Sequence, residues 1–293
     1  MIRRVVVSST TGHDYCAFLP FVGLFWRRIG YEPVFFLVGT HDEWWQDKRT
    51  NVVMSALVRQ ELPYVFVDHI EGAEDATISQ CILQHAAAHD YFKGKDDDLL
   101  ICSDADLIPF RREFYQSHDP SQYAIGLYYA NAYEGETRPH WPACHYSMLV
   151  KTWREVMWLN DKPMMEALKR TFFDYGLAEK MAAKKRDPAR EWGHVWYTDE
   201  LMTSQRIAES KYANSLALIN REGRPPQDRL DRACWPVEYD INKYTDCHSV
   251  RPIWSKSNWP KFRPILAQAF NAATMAWADE YREAFRDAMG CDQ

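Results

Sequence analysis

The run Leu99-Leu100-Ile101-Cys102-Ser103-Asp104-Ala105-Asp106 is apolar at its start and ends in two carboxylates spaced one residue apart. An unbroken apolar run is the pattern of a strand buried on both faces of a parallel sheet. Open α/β sheets bind their ligands just beyond the carboxyl ends of such strands. Two acidic side chains at that place can clamp a divalent cation. Oxygen donors suit Mg²⁺ or Mn²⁺, and either metal keeps positions open for the phosphates of a nucleotide. An isolated Asp-x-Asp is more often a solvated strand end, because strand-to-loop junctions are polar by default. Its meaning therefore rests on its surroundings.

Upstream, strand and helix patterns alternate. Arg4 to Ser9 is a β-branched run, and Tyr15 to Ile29 is an apolar helix-like stretch stopped by Gly30. Val34 to Gly39 predicts a second strand, Asn51 to Leu62 a helix, and Tyr64 to Asp68 a third strand. Thr77 to Phe92 predicts a helix with Thr77 as its N-cap. The Asp-Ala-Asp strand comes fourth. Such alternation implies right-handed βαβ crossovers, a mostly parallel sheet flanked by helices, and a nucleotide-binding type of half-domain. Fold alone does not fix function.

Downstream the pattern is mixed. Tyr123 to Tyr129 and Cys144 to Val150 predict strands, and the loop Asn131 to Pro142 between them is rich in residues that can shape an acceptor pocket. Trp153 to Leu159, Pro163 to Lys185 and Asp199 to Glu209 have helical periodicity, and the basic run Lys180 to Arg190 is expected to be a solvated face. Asn220 to Pro260 has little periodicity and is expected to wrap over the sheet as a long loop. Leu266 to Met289 predicts one amphipathic C-terminal helix, a candidate homodimer contact.

At 293 residues and 46% hydrophobic, the chain can bury a large core. A net charge of −6 without a basic stripe argues against nucleic-acid binding. No apolar run approaches the roughly 18 residues of a membrane span. Met1-Ile2-Arg3-Arg4 leads directly into a strand-like run, so the expectation is a soluble, cytoplasmic protein. The 7 cysteines are scattered singly, without a Cys-x-x-Cys pair, and read as reduced thiols. The 12 Trp and 16 Tyr are an aromatic excess; buried aromatics mostly fill cores, and a tryptophan surplus also suits a cleft in which sugar faces stack on rings.

Three constellations stand beside Asp104 and Asp106. Ser8-Ser9-Thr10-Thr11-Gly12-His13-Asp14-Tyr15 lies between the first strand and first helix, where hydroxyls, a glycine and a helix N-terminus can hold a base or phosphate. The chain has neither a G-x-G-x-x-G nor a P-loop pattern. In Trp196-Tyr197-Thr198-Asp199-Glu200, Thr198 can cap a helix whose first turn carries two acids, which the helix dipole alone also favours. Asp246-Cys247-His248, followed by Arg251, Trp254 and Lys256, offers an imidazole to complete a metal site and cations to neutralise a diphosphate.

In this order the set resembles the metal-dependent nucleotide-sugar glycosyltransferases of the GT-A fold, over roughly residues 4 to 256. Thr10-Thr11-Gly12-His13-Asp14-Tyr15 is similar to the Thr-Thr-Asn-Asp-x-Tyr loop of glycogenin-like members. Cys144-His145-Tyr146-Ser147-Met148-Leu149 stands where they have an Asn-Ser-Gly strand, and Asp199-Glu200-Leu201-Met202 where they have Asp-Gln-x-x-Leu-Asn. His248 is followed by Ser-Val-Arg-Pro-Ile-Trp, a departure from their His-x-x-Gly-x-x-Lys-Pro-Trp. Glycosyltransferases of large algal DNA viruses are another possible likeness.

The resemblance implies a single Rossmann-like GT-A domain over residues 1–293. Residues 1–110 would be a nucleotide-sugar-binding half, 111–262 an acceptor-binding half, and 263–293 a C-terminal helix. It implies that Thr10, Thr11 and Tyr15 meet the uracil of a UDP-sugar, with Tyr15 stacked on it. Gly12, Asp14, Ser103, Asp104, Ala105, Arg251 and Lys256 complete the donor-binding set. Mn²⁺ or Mg²⁺ would be held by Asp104, Asp106 and His248. A carboxylate, first Asp199 and then Glu200, would take the proton of an acceptor hydroxyl, on a glycan or another molecule. Paired acids favour inversion at the anomeric carbon, whereas the glycogenin-like loop implies retention. The alternatives are another metal-dependent phosphate-handling enzyme and a non-catalytic carbohydrate-binding or interaction module.

Overall fold

The structure is a computed structural model and describes residues 1–12, 14–133, 135, 140–159, 162–174, 198–223 and 227–290. His13, part of the Asn131 to Pro142 loop, the part beyond residue 174 of the helix expected from Pro163 to Lys185, the run Lys180 to Arg190, and Trp196 and Tyr197 lie outside these residues. The first half alternates β1 (Arg3–Thr10), α1 (Leu19–Arg28), β2 (Glu32–Val38), α2 (His41–Gln46), α3 (Lys48–Arg59), β3 (Tyr64–Val67), α4 (Asp75–His85) and β4 (Leu99–Ser103). Then follow β5 (Leu107–Pro109), α5 (Arg112–Tyr115), β6 (Ile125–Tyr128), β7 (Tyr146–Leu149), α6 (Val150–Val156), α7 (Met164–Asp174) and α8 (Thr198–Glu209). The chain continues through β8 (Leu216–Ile219), β9 (Arg229–Asp231), β10 (Asp246–His248), α9 (Trp259–Ala269) and α10 (Ala272–Ala288).

A 7-stranded sheet runs in the order β3-β2-β1-β4-β7-β6-β8. It is parallel except for β7, which runs against both β4 and β6. Its inner strands are buried on both faces, as the apolar runs of β1, β2 and β4 require, while the edge strands β3 and β8 are partly exposed. Val5, Val7, Phe35 and Leu37 face the layer of α1, α3 and the C-terminal helices, while Val6, Val34, Phe36 and Val38 face the layer of α4, α6, α7 and α8. Each large apolar side chain buried this way contributes roughly 1.5–3 kcal/mol. The expected α/β class, with a mostly parallel central sheet flanked by helices and a helical C-terminus, is what the chain adopts.

Several expected elements differ in ways that local chemistry explains. The helix expected from Tyr15 begins as a 3₁₀ turn at Asp14–Phe18 and becomes α-helical at Leu19, with Pro20 in the first turn, where proline's missing N–H costs nothing. Thr77 is inside α4 rather than its cap; the helix starts after Glu74 and gives way to 3₁₀ turns after His85. The short α2 was not expected, although Thr40 and Glu43 form a complete capping box. The single C-terminal helix is two, because Asn271 accepts a hydrogen bond from Thr274 N and caps a new start. Trp277, Tyr281 and Phe285 of α10 pack inside the chain, the first two against Phe21. The apolar face expected to serve a homodimer is thus covered within the fold. Among the described residues, no helix is long and apolar enough to cross a membrane.

The segment from Asn220 to Pro260, expected as a loop, carries β9 and β10, which join β5 in a second, 3-stranded sheet in the order β5-β10-β9. Pairing with a distant partner, rather than local periodicity, makes these short strands.

His85 is fully buried between Cys81 O (2.8 Å) and Thr171 Oγ1 (2.9 Å), and burial pushes its imidazole from 6.5 down to about 4. Between these values the unfolded chain takes up a proton that the folded chain refuses, so stability falls as pH falls from about 6.5 to about 4. Melting followed by circular dichroism should show His85→Gln losing less stability than the parent between pH 7 and pH 5, whatever its stability at pH 7.

Candidate active site

Two strand ends and one strand pairing assemble the site. β1 and β4 lie side by side, so the Ser8 to Tyr15 segment and the Asp104-Ala105-Asp106 turn emerge together at their carboxyl ends. β5 starts immediately after Asp106 and pairs antiparallel with β10, placing His248 opposite Leu107. Ser249 N also donates to Asp106 O (3.1 Å). A histidine remote in sequence thereby reaches the acidic motif.

The two carboxylates have different surroundings. Asp106 is buried, with Arg232 Nη1 2.6 Å, His248 Nε2 3.5 Å and Arg251 Nε 3.8 Å from its Oδ2. Burial pushes its carboxyl up, but His248, Arg232 and Arg251 outweigh that and hold it below the ordinary range. The Asp104 carboxylate is partly buried and makes no hydrogen bond or ion pair with the described residues. Burial, then the Asp106 charge, pushes it up to about 7. His248 Nδ1 is 3.2 Å from Asp231 Oδ2. A carboxylate on one ring nitrogen, with the other directed at the site, is the arrangement that orients a metal-binding imidazole. Among the described residues, no group of three or more His, Cys, Asp and Glu side chains is drawn together as a metal cluster. The donor chemistry fits a divalent cation, with Arg232 standing against Asp106 where such an ion would compete.

A cavity of about 260 Å³ opens here, walled by Ser8, Ser9, Thr10 and Tyr15, by Asp104, Ala105 and Asp106, by Ser79 and Gln80 of α4, and by Asp199, Glu200, Arg232 and His248. Ser9 Oγ is buried without a hydrogen-bond partner among the described residues. A second cavity, about 630 Å³, is lined by Tyr129, Asn131, Tyr133, Arg221 and Arg229. The two share Asp104, Cys144, Glu200 and His248. Open beside Tyr15 is a further cavity, lined by Asp14, Arg232, Arg251 and Lys261.

Most expected residues come together, but not all. Thr11, Gly12, Ser103 and Lys256 line none of these cavities. Ser103 is fully buried with its hydroxyl toward Asp104 O and His145, because it is the last residue of β4 and faces the interior. Tyr15 already carries a stacked partner, the Arg251 guanidinium 4.5 Å from its ring centre. Asp199 is buried, and burial, then Glu200 and Asp104, push its carboxyl well above the usual range. Glu200 accepts from Ala143 N (3.2 Å), Tyr133 Oη (3.2 Å) and His140 Nε2 (3.0 Å), and reaches both main cavities.

Sequence reading missed Asp231 and Arg232, which are hidden in the segment expected as loop, and the buried group around Asp246. Arg229 donates to both Asp246 oxygens (2.7 and 2.6 Å), and Tyr129 (2.6 Å) and Tyr115 (3.1 Å) donate to Oδ2. The Asp246 signal was its place beside His248, read there as part of the loop constellation.

No protein-family model matches the chain, and no curated protein matches it in sequence. Solved structures with some likeness include the glycosyltransferase GlyE of Streptococcus pneumoniae TIGR4, at 10% identity over 74% of this chain and 45% of that one, with a TM-score of 0.38. In this match the chain spans less than half of the GlyE chain. The galactosyltransferase LgtC, in complex with donor and acceptor sugar analogs, is 11% identical over 97% of this chain and 95% of its own, with a TM-score of 0.45. A glycosyltransferase involved in the glycosylation of the major capsid of PBCV-1 is 10% identical over 97% and 99%, with a TM-score of 0.39. These are distant likenesses.

Removing one partner of the Arg229–Asp246 pair strands a buried charge, which costs roughly 3–5 kcal/mol. Asp246→Ala should lose about that much in urea unfolding, and the double variant Arg229→Met/Asp246→Leu should lose less than Asp246→Ala alone.

Proposed function

We propose that this chain transfers a sugar from a nucleotide sugar, a UDP-sugar by the likeness of its first loop, to a hydroxyl of an acceptor, most simply a glycan. The observation that carries the reading is the Asp104 carboxylate, unpaired among the described residues, at the junction of two cavities that share Asp104, Cys144, Glu200 and His248. A donor in one cavity and an acceptor in the other would meet there. The buried, unpartnered Ser9 hydroxyl in the first cavity supports a polar ligand on that side.

Asp104, Asp106 and His248 would hold Mn²⁺ or Mg²⁺, which when bound neutralises the charge that develops on the diphosphate. Arg232 and Arg251 line the cavities on the same side and offer forked N–H donors to phosphate oxygens. Glu200, rather than Asp199, is placed to take the acceptor proton, since it lines both cavities and is aimed by Tyr133, His140 and Ala143 N. The raised Asp199 carboxyl is a hydrogen-bond donor to a sugar hydroxyl. Direct displacement with Glu200 as base inverts the anomeric centre.

A second reading rests on Arg232 at 2.6 Å from Asp106. Arg232, Arg251 and His248 would then neutralise the diphosphate without a metal.

A panel of nucleotide sugars, scored for release of nucleoside diphosphate with Mn²⁺ and with chelator, tests both. Metal-dependent release that Asp104→Ala and Asp106→Ala reduce at least about a hundredfold supports the first reading. Release that survives chelation and falls with Arg232→Ala supports the second. Glu200→Gln should slow transfer about 10²–10⁴-fold while nucleotide affinity stays within a few-fold. The absence of both release and nucleotide binding would overturn the transferase reading.

A further inference from the structure

We propose that the acceptor entering the larger cavity carries an anionic group, a carboxylate or a phosphomonoester, and that Arg221 is the residue that reads it; this rests on the transferase reading above. Arg221 follows β8, and its backbone is clamped to the end of β6: Arg221 N donates to Asn131 Oδ1 (2.8 Å) and Asn131 Nδ2 to Arg221 O (3.4 Å). Its guanidinium lies 4.7 Å from the centre of the Tyr129 ring, whose own hydroxyl is fixed on Asp246. Backbone and side chain are thus positioned before any ligand arrives, the condition under which a planar guanidinium binds a two-oxygen anion well.

Among the described residues around the cavity, Arg221 is a cation whose ion pair is loose and without a hydrogen bond. Arg229, stacked on the same ring at 4.5 Å, is satisfied by both oxygens of Asp246. Glu200 is held by its three donors. Asp228 pairs with Arg221 at 3.8 Å from Nε, too long for a hydrogen bond, and Arg221 Nε and both Asp228 oxygens are buried without a hydrogen-bond partner among the described residues. Arg221 makes no side-chain hydrogen bond to the described residues and lines the cavity.

Its position argues for the acceptor rather than the donor. Arg221 emerges from β8, three strands along from β4, which is roughly 14 Å at ordinary strand spacing. That span leaves room for a transferred sugar and one acceptor ring between a diphosphate at Asp104 and Asp106 and an anion at Arg221. The donor-side cations are Arg232 and Arg251, and Arg221 lines neither of their cavities.

The test is calorimetry on the full chain with methyl β-glucuronide, glucose 6-phosphate and methyl β-glucoside, with and without saturating UDP, repeated on Arg221→Gln and Arg221→Lys. At least one acidic probe should bind the parent tenfold or more tighter than the neutral glucoside, with UDP present. Arg221→Gln should erase that preference and Arg221→Lys restore part of it, while UDP binds all three proteins alike. A preference for the glucuronide alone identifies a carboxylate ligand, and for the sugar phosphate alone a phosphomonoester. Equal binding of acidic and neutral probes, or a loss of UDP affinity in Arg221→Gln equal to its loss of acidic-probe affinity, overturns the proposal. An Arg221-dependent anion preference in a chain that neither binds UDP nor turns over any nucleotide sugar would instead sink the transferase reading and leave the anion site standing.

Discussion

The carboxylate of Asp246 is fully buried and binds partners from distant parts of the chain: Arg229 through two hydrogen bonds, Tyr129 at the end of the main sheet, and Tyr115 beneath it. Around this contact the second sheet is fastened to the first. β10 lies between β5 and β9, so Asp246 also pairs through its backbone with Pro109 and Arg229. Two residues further along the same strand, His248 comes to lie across from Leu107, next to the acidic motif. A buried ion pair adds little net stability when compared with apolar residues of the same volume, but it admits few alternative registers. Here a register shift of one residue would turn His248 away from Asp106.

The same arrangement makes the two motif carboxylates unequal. Asp106 receives Arg232 and His248 from the second sheet and its flanks, and Arg251 from the segment beyond. Asp104, two residues earlier, faces the open cavities without such partners and is raised to about 7. One carboxyl is thus used to organise cations, and the other is left in need of one. That asymmetry is a property of the site and not of the Asp-x-Asp pattern, which is symmetric on paper.

Most of the large aromatic residues fill the core, as buried rings usually do. Trp26, Trp44 and Trp153 are fully buried in the core, and Phe21, Trp259, Phe262, Trp277 and Tyr281 cluster where α1 meets the C-terminal helices. Around the cavities, the rings carry cations: Tyr129 takes Arg221 and Arg229, and Tyr15 takes Arg251. A ring face holding a guanidinium fixes its direction at little entropic cost, so the polar rim of the cleft is stiffer than its charge count implies.

The sequence by itself determined the main sheet and its acidic turn. β4, the Val5–Val7 centre of β1 and the Val34–Val38 part of β2 were legible because a strand centre buried on both faces is a continuous apolar run, and that pattern is local. Asp104 and Asp106 were legible as a candidate site for the same reason, since a carboxylate pair closing such a run is conspicuous. Short range also made α8 readable as Asp199 to Glu209, one residue short of its start at Thr198, with Asp199 and Glu200 in its first turn. Tertiary structure alone decided which acid faces both cavities, which residues reach the motif, and where the second sheet runs. β9 and β10 are three residues each, too short for any periodicity, and exist because β10 pairs with β5 and β9 with β10. Asp231, Arg232 and Arg221 owe their places to that pairing and to the β6–β8 contact, and long-range contacts leave no local trace in the order of amino acids.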